Sequence, residues 1–317
     1  MKAVQIKGEK GAHQVVVGDS LPRPTPRNRE LLIKVLAAGI TADEVTWAEL
    51  YATANRVPGH DLSGVVHALG PEYEGPMAVG DEVYAMISAA ASQGCQAEFA
   101  IAAADEVTPK PASISHAQAA ALPIPVLTAW EALVDQARLA RGSRILVTGA
   151  SGAVGMMLVQ IARRQLDAHV VGLASAANHA LLREIGAQET LDYRDAGWHE
   201  TLADLDAVID TVGGEVLAVA RRAIKKDGVV VTVADPPPAW ALGKSEPEPV
   251  PGNPGLRHVY FIVTARNEPL ERVASLIDQG SVRPIAVRAF PVDKAPEAWS
   301  FARARGRREK AVITFDS

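Results

Sequence analysis

Apolar residues in the first third of the chain come in short, closely spaced runs. They fall at residues 3–6, 14–17, 30–38, 64–69, 80–87 and 97–102, with proline and glycine punctuating the gaps at Pro22, Pro24, Pro26, Pro58, Gly59, Gly70, Pro71, Gly75 and Pro76. Many short strands separated by turn residues predict a barrel-like β domain. A helix over residues 115–121 follows, with Ser113 or Ser115 as its cap. From about residue 126 the period changes. Residues 128–136 are expected to be helical, and then strands at 145–147, 169–173, 190–193, 207–210, 228–233 and 259–263 alternate with helices at 177–185, 216–224 and 270–278. Alternation of this kind builds a parallel sheet wrapped on both faces by helices. Residues 236–255 are rich in proline and glycine without an apolar period, which predicts a long functional or mobile loop. Residues 287–315 read as strand, helix, strand and are expected to return to the first domain.

One stretch in the alternating region carries chemistry. Residues 144–162 read R-I-L-V-T-G-A-S-G-A-V-G-M-M-L-V-Q-I-A, an apolar strand, a turn with Gly149, Gly152 and Gly155, and apolar positions at helical spacing. This is the context that a dinucleotide fingerprint requires. A glycine leaves no Cβ between backbone and pyrophosphate, and the helix N-terminus adds partial positive charge. The spacing is G-x-x-G-x-x-G rather than the commoner G-x-G-x-x-G.

Composition narrows the class. The chain has 317 residues, 48% hydrophobic and 22% charged, which predicts a soluble globular protein of two domains. A net charge of −5 with dispersed basic residues argues against a nucleic-acid surface. The one basic cluster, residues 303–310, reads as a solvated helix face. The start turns polar by Lys7, so no signal peptide is expected. No membrane span is expected either: the best candidate, residues 117–134, is interrupted by Pro123, Pro125 and Glu131. A lone cysteine, Cys95, excludes an internal disulfide and a thiolate cluster and fits a reducing cytoplasm.

The motifs A-A-G-I-T (37–41), P-G-H-D-L-S-G-V-V (58–66), V-G-D-E-V-Y (79–84), L-P-I-P-V-L-T-A-W-E-A-L (122–133), V-T-G-A-S-G-A-V-G (147–155), D-T-V-G-G (210–214) and K-A-V-I-T-F (310–315) follow one another in an order that resembles the medium-chain dehydrogenase/reductase superfamily, within it the zinc-independent quinone oxidoreductase branch. The resemblance covers nearly the whole chain. It implies an α/β protein with a GroES-like β-barrel catalytic domain at 1–122, to which 283–317 returns. A Rossmann dinucleotide-binding domain with a six-stranded parallel sheet would span 123–282. The active site is then expected in the cleft between them. Zinc members of the superfamily carry a cysteine after G-I, a G-H-E histidine and a further cysteine or acid before the first helix of the nucleotide domain. Here those positions are Thr41, His60 and Ile124 or a neighbour. Zinc needs thiolate, imidazole or carboxylate ligands, so no metal is expected, and His60 reads as a hydrogen-bonded histidine beside Asp61.

The resemblance also implies the cofactor residues. The glycine turn, with Gly149, Ser151, Gly152, Ala153 and Val154, and Val212 in D-T-V-G-G, would hold the dinucleotide. Thr128 matches a family residue beside the nicotinamide carboxamide. NAD sites place an acid at the end of the second strand, and here the strand ends in Ala174 and Ser175 with no carboxylate before Glu184. Ser175 and Tyr193 match the family's NADPH users, while Asn178 and His179 stand where those carry a lysine, and Arg183 or Arg194 could pair with the phosphate. NADPH is therefore the expected cofactor. On the substrate side, Thr41 occupies a place commonly held by asparagine, Glu44 follows three residues on, and Tyr51 lies near the catalytic tyrosine of related enoyl reductases. Packing of Tyr51 with Trp47, one helical turn earlier, is the plainer reading. The expected function is NADPH-dependent, zinc-independent hydride transfer to a quinone or an α,β-unsaturated carbonyl. An enoyl-thioester reductase using Tyr51 as proton donor, or a non-catalytic NADPH sensor, is the alternative. The substrate is expected to be a small carbonyl compound or quinone. An apolar edge strand at 259–263 predicts a homodimer.

Overall fold

The computed structural model describes residues 1–88, 91, 93–234, 236–247, 249, 250, 253–304 and 306–316. The chain divides into two compact units, one made of Met1–Ile124 with Thr264–Ser317 and the other of Pro125–Val263.

The first unit begins with β1 (Ala3–Lys7) and β2 (Gln14–Gly18), an antiparallel pair. Strands β3 (Leu31–Gly39), β4 (Asp61–Leu69), β5 (Glu82–Met86), β6 (Phe99–Ala102) and β7 (Val107–Pro109) follow. Then comes the short helix α1 (His116–Ala119). Ser115 caps it: its hydroxyl accepts from the Gln118 N–H, and the Gln118 side chain accepts from the Ser115 N–H. Ser113 is engaged elsewhere, as described below.

The second unit starts within α2 (Pro123–Trp130) and widens into a π-helical turn, Glu131–Gln136. Pro123 and Pro125 sit in the first turn, where a missing N–H costs nothing, so the helix starts earlier than the proline content predicts. With α1 it forms a helical stretch, His116–Gln136, long and apolar enough to cross a bilayer by length and composition; 78% of its most apolar window is buried inside the fold, so its apolarity serves the core. Strand β8 (Arg144–Thr148) leads into α3 (Ala153–Leu166). Then come β9 (His169–Leu173), α4 (His179–Ile185), β10 (Glu189–Leu191), β11 (Leu205–Asp210), α5 (Gly214–Ala220), β12 (Ile224–Thr232) and β13 (Arg257–Tyr260). The sheet is parallel with order β10-β9-β8-β11-β12-β13. This is the doubly wound 3-2-1-4-5-6 arrangement, whose strand order reverses between β8 and β11.

The chain then returns to the first unit with α6 (Glu268–Asp278), β14 (Val287–Pro291), α7 (Ala295–Arg303) and β15 (Lys310–Thr314). The larger sheet runs β14-β15-β3-β4-β5-β7, with β6 also on β3. Trp299, Leu31, Ile33, Leu62 and Ile313 lie in its core.

Three expectations shift. The junctions fall at Ile124 and Val263, because α6 is fastened to the first unit. Tyr84 Oη donates to the Leu270 carbonyl at 2.6 Å, and the Asp278 carboxylate accepts from the Ser113 N–H (2.9 Å) and hydroxyl (2.6 Å). The sixth strand ends at Tyr260 rather than at 263, because its partner β12 ends at Thr232, which pairs with Tyr260. The basic cluster at 303–310 is no helix face. Helix α7 stops at Arg303, and Lys310 is buried on β15, 2.5 Å from the fully buried Asp61 carboxylate. Asp61 also accepts from the Ile124 N–H at 2.7 Å, and Lys310 donates to the Ala121 carbonyl at 3.2 Å. Breaking a buried pair of this kind leaves an uncompensated charge.

Candidate functional site

In the second unit the predicted cofactor residues other than Thr128 gather at the carboxyl ends of β8, β9, β10 and β11, where doubly wound sheets bind their ligands. The three glycines of the turn have different tasks. Gly149 has φ +59°, and a Cβ there would lie 2.3 Å from Thr211 Oγ1. At Gly155 a Cβ would lie 2.2 Å from the Gly149 carbonyl oxygen and 2.7 Å from Ala150, so Gly155 lets α3 pack against the turn. Gly152 is exposed, and its nearest neighbour would be 3.2 Å away. It is the glycine over which backbone N–H groups can approach a pyrophosphate. It also stands at the N-cap of α3, 14 residues long, with Ala153 and Val154 in the first turn.

The crevice is pinned from below by a buried carboxylate. Asp210, at the end of β11, accepts from the Thr148 hydroxyl (2.6 Å), the Thr232 hydroxyl (2.6 Å), and the N–H groups of Val212 (3.2 Å) and Gly213 (3.0 Å). Four donors around one carboxylate join the ends of β8, β11 and β12 and fix the loop that presents Val212, which is 50% exposed. The sequence reading quoted D-T-V-G-G but gave Asp210 no task. A carboxylate ending an apolar strand, with threonines ending two of its neighbours, is the signal that it lacked.

At the end of β9, Ser175 opens a turn rather than an acid-bearing loop. Asn178 Nδ2 donates to Ser151 Oγ at 3.2 Å and to Ser175 Oγ at 3.1 Å, which ties the glycine turn to the second strand's end. Asp192, just past β10, accepts from the Ala176 N–H at 2.9 Å. Its other partner is Arg194, whose guanidinium binds it at 2.6 and 3.0 Å. That guanidinium, with the backbone N–H groups, holds the Asp192 carboxyl well below the usual range. Arg194 is thereby fixed beside Tyr193, which is 52% exposed. Arg183 is held by Thr190 Oγ1 at 2.7 Å. Thr128 is buried on α2. These residues fit a dinucleotide: an open glycine at a helix N-terminus, small hydroxyls, and an exposed aromatic.

The first unit holds a second cluster. Thr41 is half-buried, and its carbonyl accepts from the Glu44 N–H. Glu44 is fully buried; Oε1 accepts from the Gly59 N–H at 2.8 Å, while Oε2 has no hydrogen-bond partner. Burial pushes the Glu44 carboxyl up. His60 lies between Glu44 and the Ile87 carbonyl. Its Nδ1 is 3.0 Å from that carbonyl, which assigns the proton to Nδ1, and Nε2 faces Glu44 Oε1 at 3.5 Å. The Trp47 ring lies 5.6 Å from the His60 ring. Tyr51 does not join them. Its hydroxyl donates to the Val45 carbonyl at 2.7 Å, and its ring packs against the barrel core.

Zinc does not fit these donors. Thr41 and Ile124 stand at two of the three positions, and the Ile124 N–H is taken by Asp61. Among the described residues no group of three or more His, Cys, Asp or Glu could hold a metal ion.

Residues 27–112 match the family described as alcohol dehydrogenase GroES-like domain, and residues 185–313 the family described as zinc-binding dehydrogenase. A human relative, NAD(P)H oxidoreductase RTN4IP1, mitochondrial, is 32% identical over 90% of this chain and 81% of its own. The tomato (Solanum lycopersicum) 2-methylene-furan-3-one reductase is 31% identical over 92% of this chain and 73% of its own. Among solved structures, the quinone oxidoreductase from Coxiella burnetii superposes with a TM-score of 0.84 at 28% identity, covering 99% of both chains. The chain belongs to the medium-chain dehydrogenase/reductase superfamily and is an oxidoreductase with a nicotinamide cofactor.

Proposed function

We propose that this chain is an NADPH-dependent, zinc-independent reductase of quinones or α,β-unsaturated carbonyls, acting in a reducing compartment such as the cytoplasm. The observation that carries the reading is the end of β9. Ser175 and Asn178 occupy the place where a carboxylate would select NADH, and the nearby acid, Asp192, is already neutralised by Arg194. Ser175 and Asn178 would bond the 2′-phosphate, and Tyr193 and Val212 would flank the adenosine. Gly149, Ser151, Gly152, Ala153 and Val154 would receive the pyrophosphate. The nicotinamide, when bound, supplies a hydride from C4; Thr128 is the residue assigned to its carboxamide. Thr41 makes no side-chain hydrogen bond among the described residues, so its hydroxyl is available to a substrate carbonyl oxygen as negative charge builds there.

The bonding of Tyr51 to Val45 weighs against a mechanism in which Tyr51 delivers a proton. It favours acceptors whose reduced form takes its proton from water. A relative named for an enone substrate and a structural neighbour named for quinones support the same class.

The test is titration of NADPH and NADH into wild type and Ser175→Asp by fluorescence quenching. Wild type should prefer NADPH. A carboxylate at 175 repels the phosphate by a few kcal/mol, so NADPH affinity in the variant should fall by about tenfold or more while NADH is spared. Equal binding of the two cofactors by wild type, or an unchanged ratio in the variant, would overturn the assignment.

A further inference from the structure

Asp192 and Arg194 bear on cofactor choice together. Asp192 lies directly after β10 and is buried, yet it reaches the turn that follows β9: its Oδ2 accepts from the Ala176 N–H at 2.9 Å, the amide next to Ser175. The third strand's end thus delivers an acid to the turn where NAD sites keep one at the end of the second strand. That hold has a use. Ala176 opens the turn in which the Asn178 N–H donates to the Ser175 carbonyl at 2.9 Å and the Asn178 side chain donates to Ser175 and Ser151. It also has a drawback for a cofactor with a 2′-phosphate. A bare carboxylate at this range repels the phosphate and can accept from a 2′-hydroxyl.

Arg194 removes the drawback. Its Nη2 donates to Asp192 Oδ2 at 2.6 Å, and its Nε and backbone N–H each donate to Oδ1 at 3.0 Å. Both carboxylate oxygens are engaged, and the guanidinium's charge is spent on the carboxylate. Asp195, another acid of this loop, is exposed and influences Arg194 less.

We propose that Arg194 is a specificity-determining residue that acts through Asp192: it cancels the carboxylate and so lets the turn after β9 receive a 2′-phosphate, without pairing with the phosphate itself. This rests on the place given above to the 2′-phosphate, at Ser175 and Asn178. Direct pairing of guanidinium and phosphate is the simpler expectation for an arginine near such a site. The two differ in what removal of Asp192 does.

The test is a double-mutant cycle read by fluorescence quenching, with NADPH and NADH titrated into wild type, Arg194→Gln, Asp192→Asn and the double variant. Arg194→Gln bares the carboxylate, so NADPH affinity should fall by about fivefold or more while NADH is unchanged or tighter. Asp192→Asn keeps an acceptor for the Ala176 N–H and releases the guanidinium, so NADPH should bind at least as tightly as to wild type. The double variant replaces one neutral pair by another and should return NADPH affinity to within about twofold of wild type. Arg194→Lys keeps the cancelling charge and should hold the NADPH preference within about twofold as well. Full NADPH affinity in Arg194→Gln, an equal loss of both cofactors there, or a loss that persists in the double variant would overturn the proposal while leaving the phosphate's place intact. So would a loss in Arg194→Lys as large as in Arg194→Gln, which decides the matter even if Arg194→Gln fails to fold. Equal binding of NADPH and NADH by wild type would instead overturn the phosphate's place, and this role of Arg194 with it.

Discussion

Glu44 shows what one buried side chain can set. A carboxyl whose pKa rises on folding binds its proton more tightly in the native state than in the unfolded chain. Stability then falls as pH climbs from the ordinary value of 4.5 toward the raised one. Glu44→Gln keeps an acceptor for the Gly59 N–H and removes the titration. Denaturant midpoints of variant and wild type, compared from about pH 5 to about pH 8, should therefore diverge in the variant's favour as pH rises. A constant difference across that range would show that Glu44 does not gain proton affinity on folding. Nothing in the sequence announced this residue's burial. Glu44 directly follows another acid, Asp43, and its placement depends on Gly59, His60 and Ile87, which lie further along the chain.

Elements were legible where one strand or helix carries its own pattern. The apolar runs that became β8 and β11 and the helical spacing of α3 could be read directly, since both faces of a parallel strand are buried. Boundaries set by partners could not. The run V-Y-F-I-V continues past Tyr260 in sequence, but β12 offers nothing to pair with it. The glycine turn yields a prediction at this scale, because two glycines three residues apart have opposite duties. Gly155→Ala brings a Cβ into backbone atoms and should cost about 1–3 kcal/mol of stability despite alanine's better helix propensity. Gly152→Ala should stay within about 0.5 kcal/mol of wild type. It should lose about tenfold in NADPH affinity, about 1.4 kcal/mol, since its Cβ stands where the pyrophosphate approaches. Thermal melts with and without NADPH separate the two. Matching losses of stability would contradict the division of labour.

At the scale of the whole molecule, the ordered motifs revealed the family and both fold types, because the resemblance depends on many residues at once. The tie between Asp61 and Lys310 was not legible. The two are 249 positions apart, and a lysine in a basic cluster reads as solvated until the fold buries it. Assembly belongs to this scale too. β13 is the last strand of its sheet, and Ile262, just beyond it, is 72% exposed. A last strand left without a neighbour on one side among the described residues, with an exposed apolar residue just beyond it, favours pairing with a second copy, and we expect a homodimer. Light scattering at micromolar concentration should give twice the 33.5 kDa chain mass for wild type and a monomer for Ile262→Asp. A monomeric wild type would contradict this assembly.

The central claim is that this chain moves a hydride from NADPH to a quinone or enone without a metal. Its most direct test is stopped-flow oxidation of protein-bound NADPH after extensive chelation, with phenanthrenequinone and methyl vinyl ketone as acceptors and a crotonyl thioester for comparison. The account predicts oxidation by the quinone or the enone that survives chelation, is slower with NADH, and persists in Tyr51→Phe. Tight NADPH binding without oxidation by any acceptor, or turnover that vanishes on chelation and returns with zinc, would contradict it.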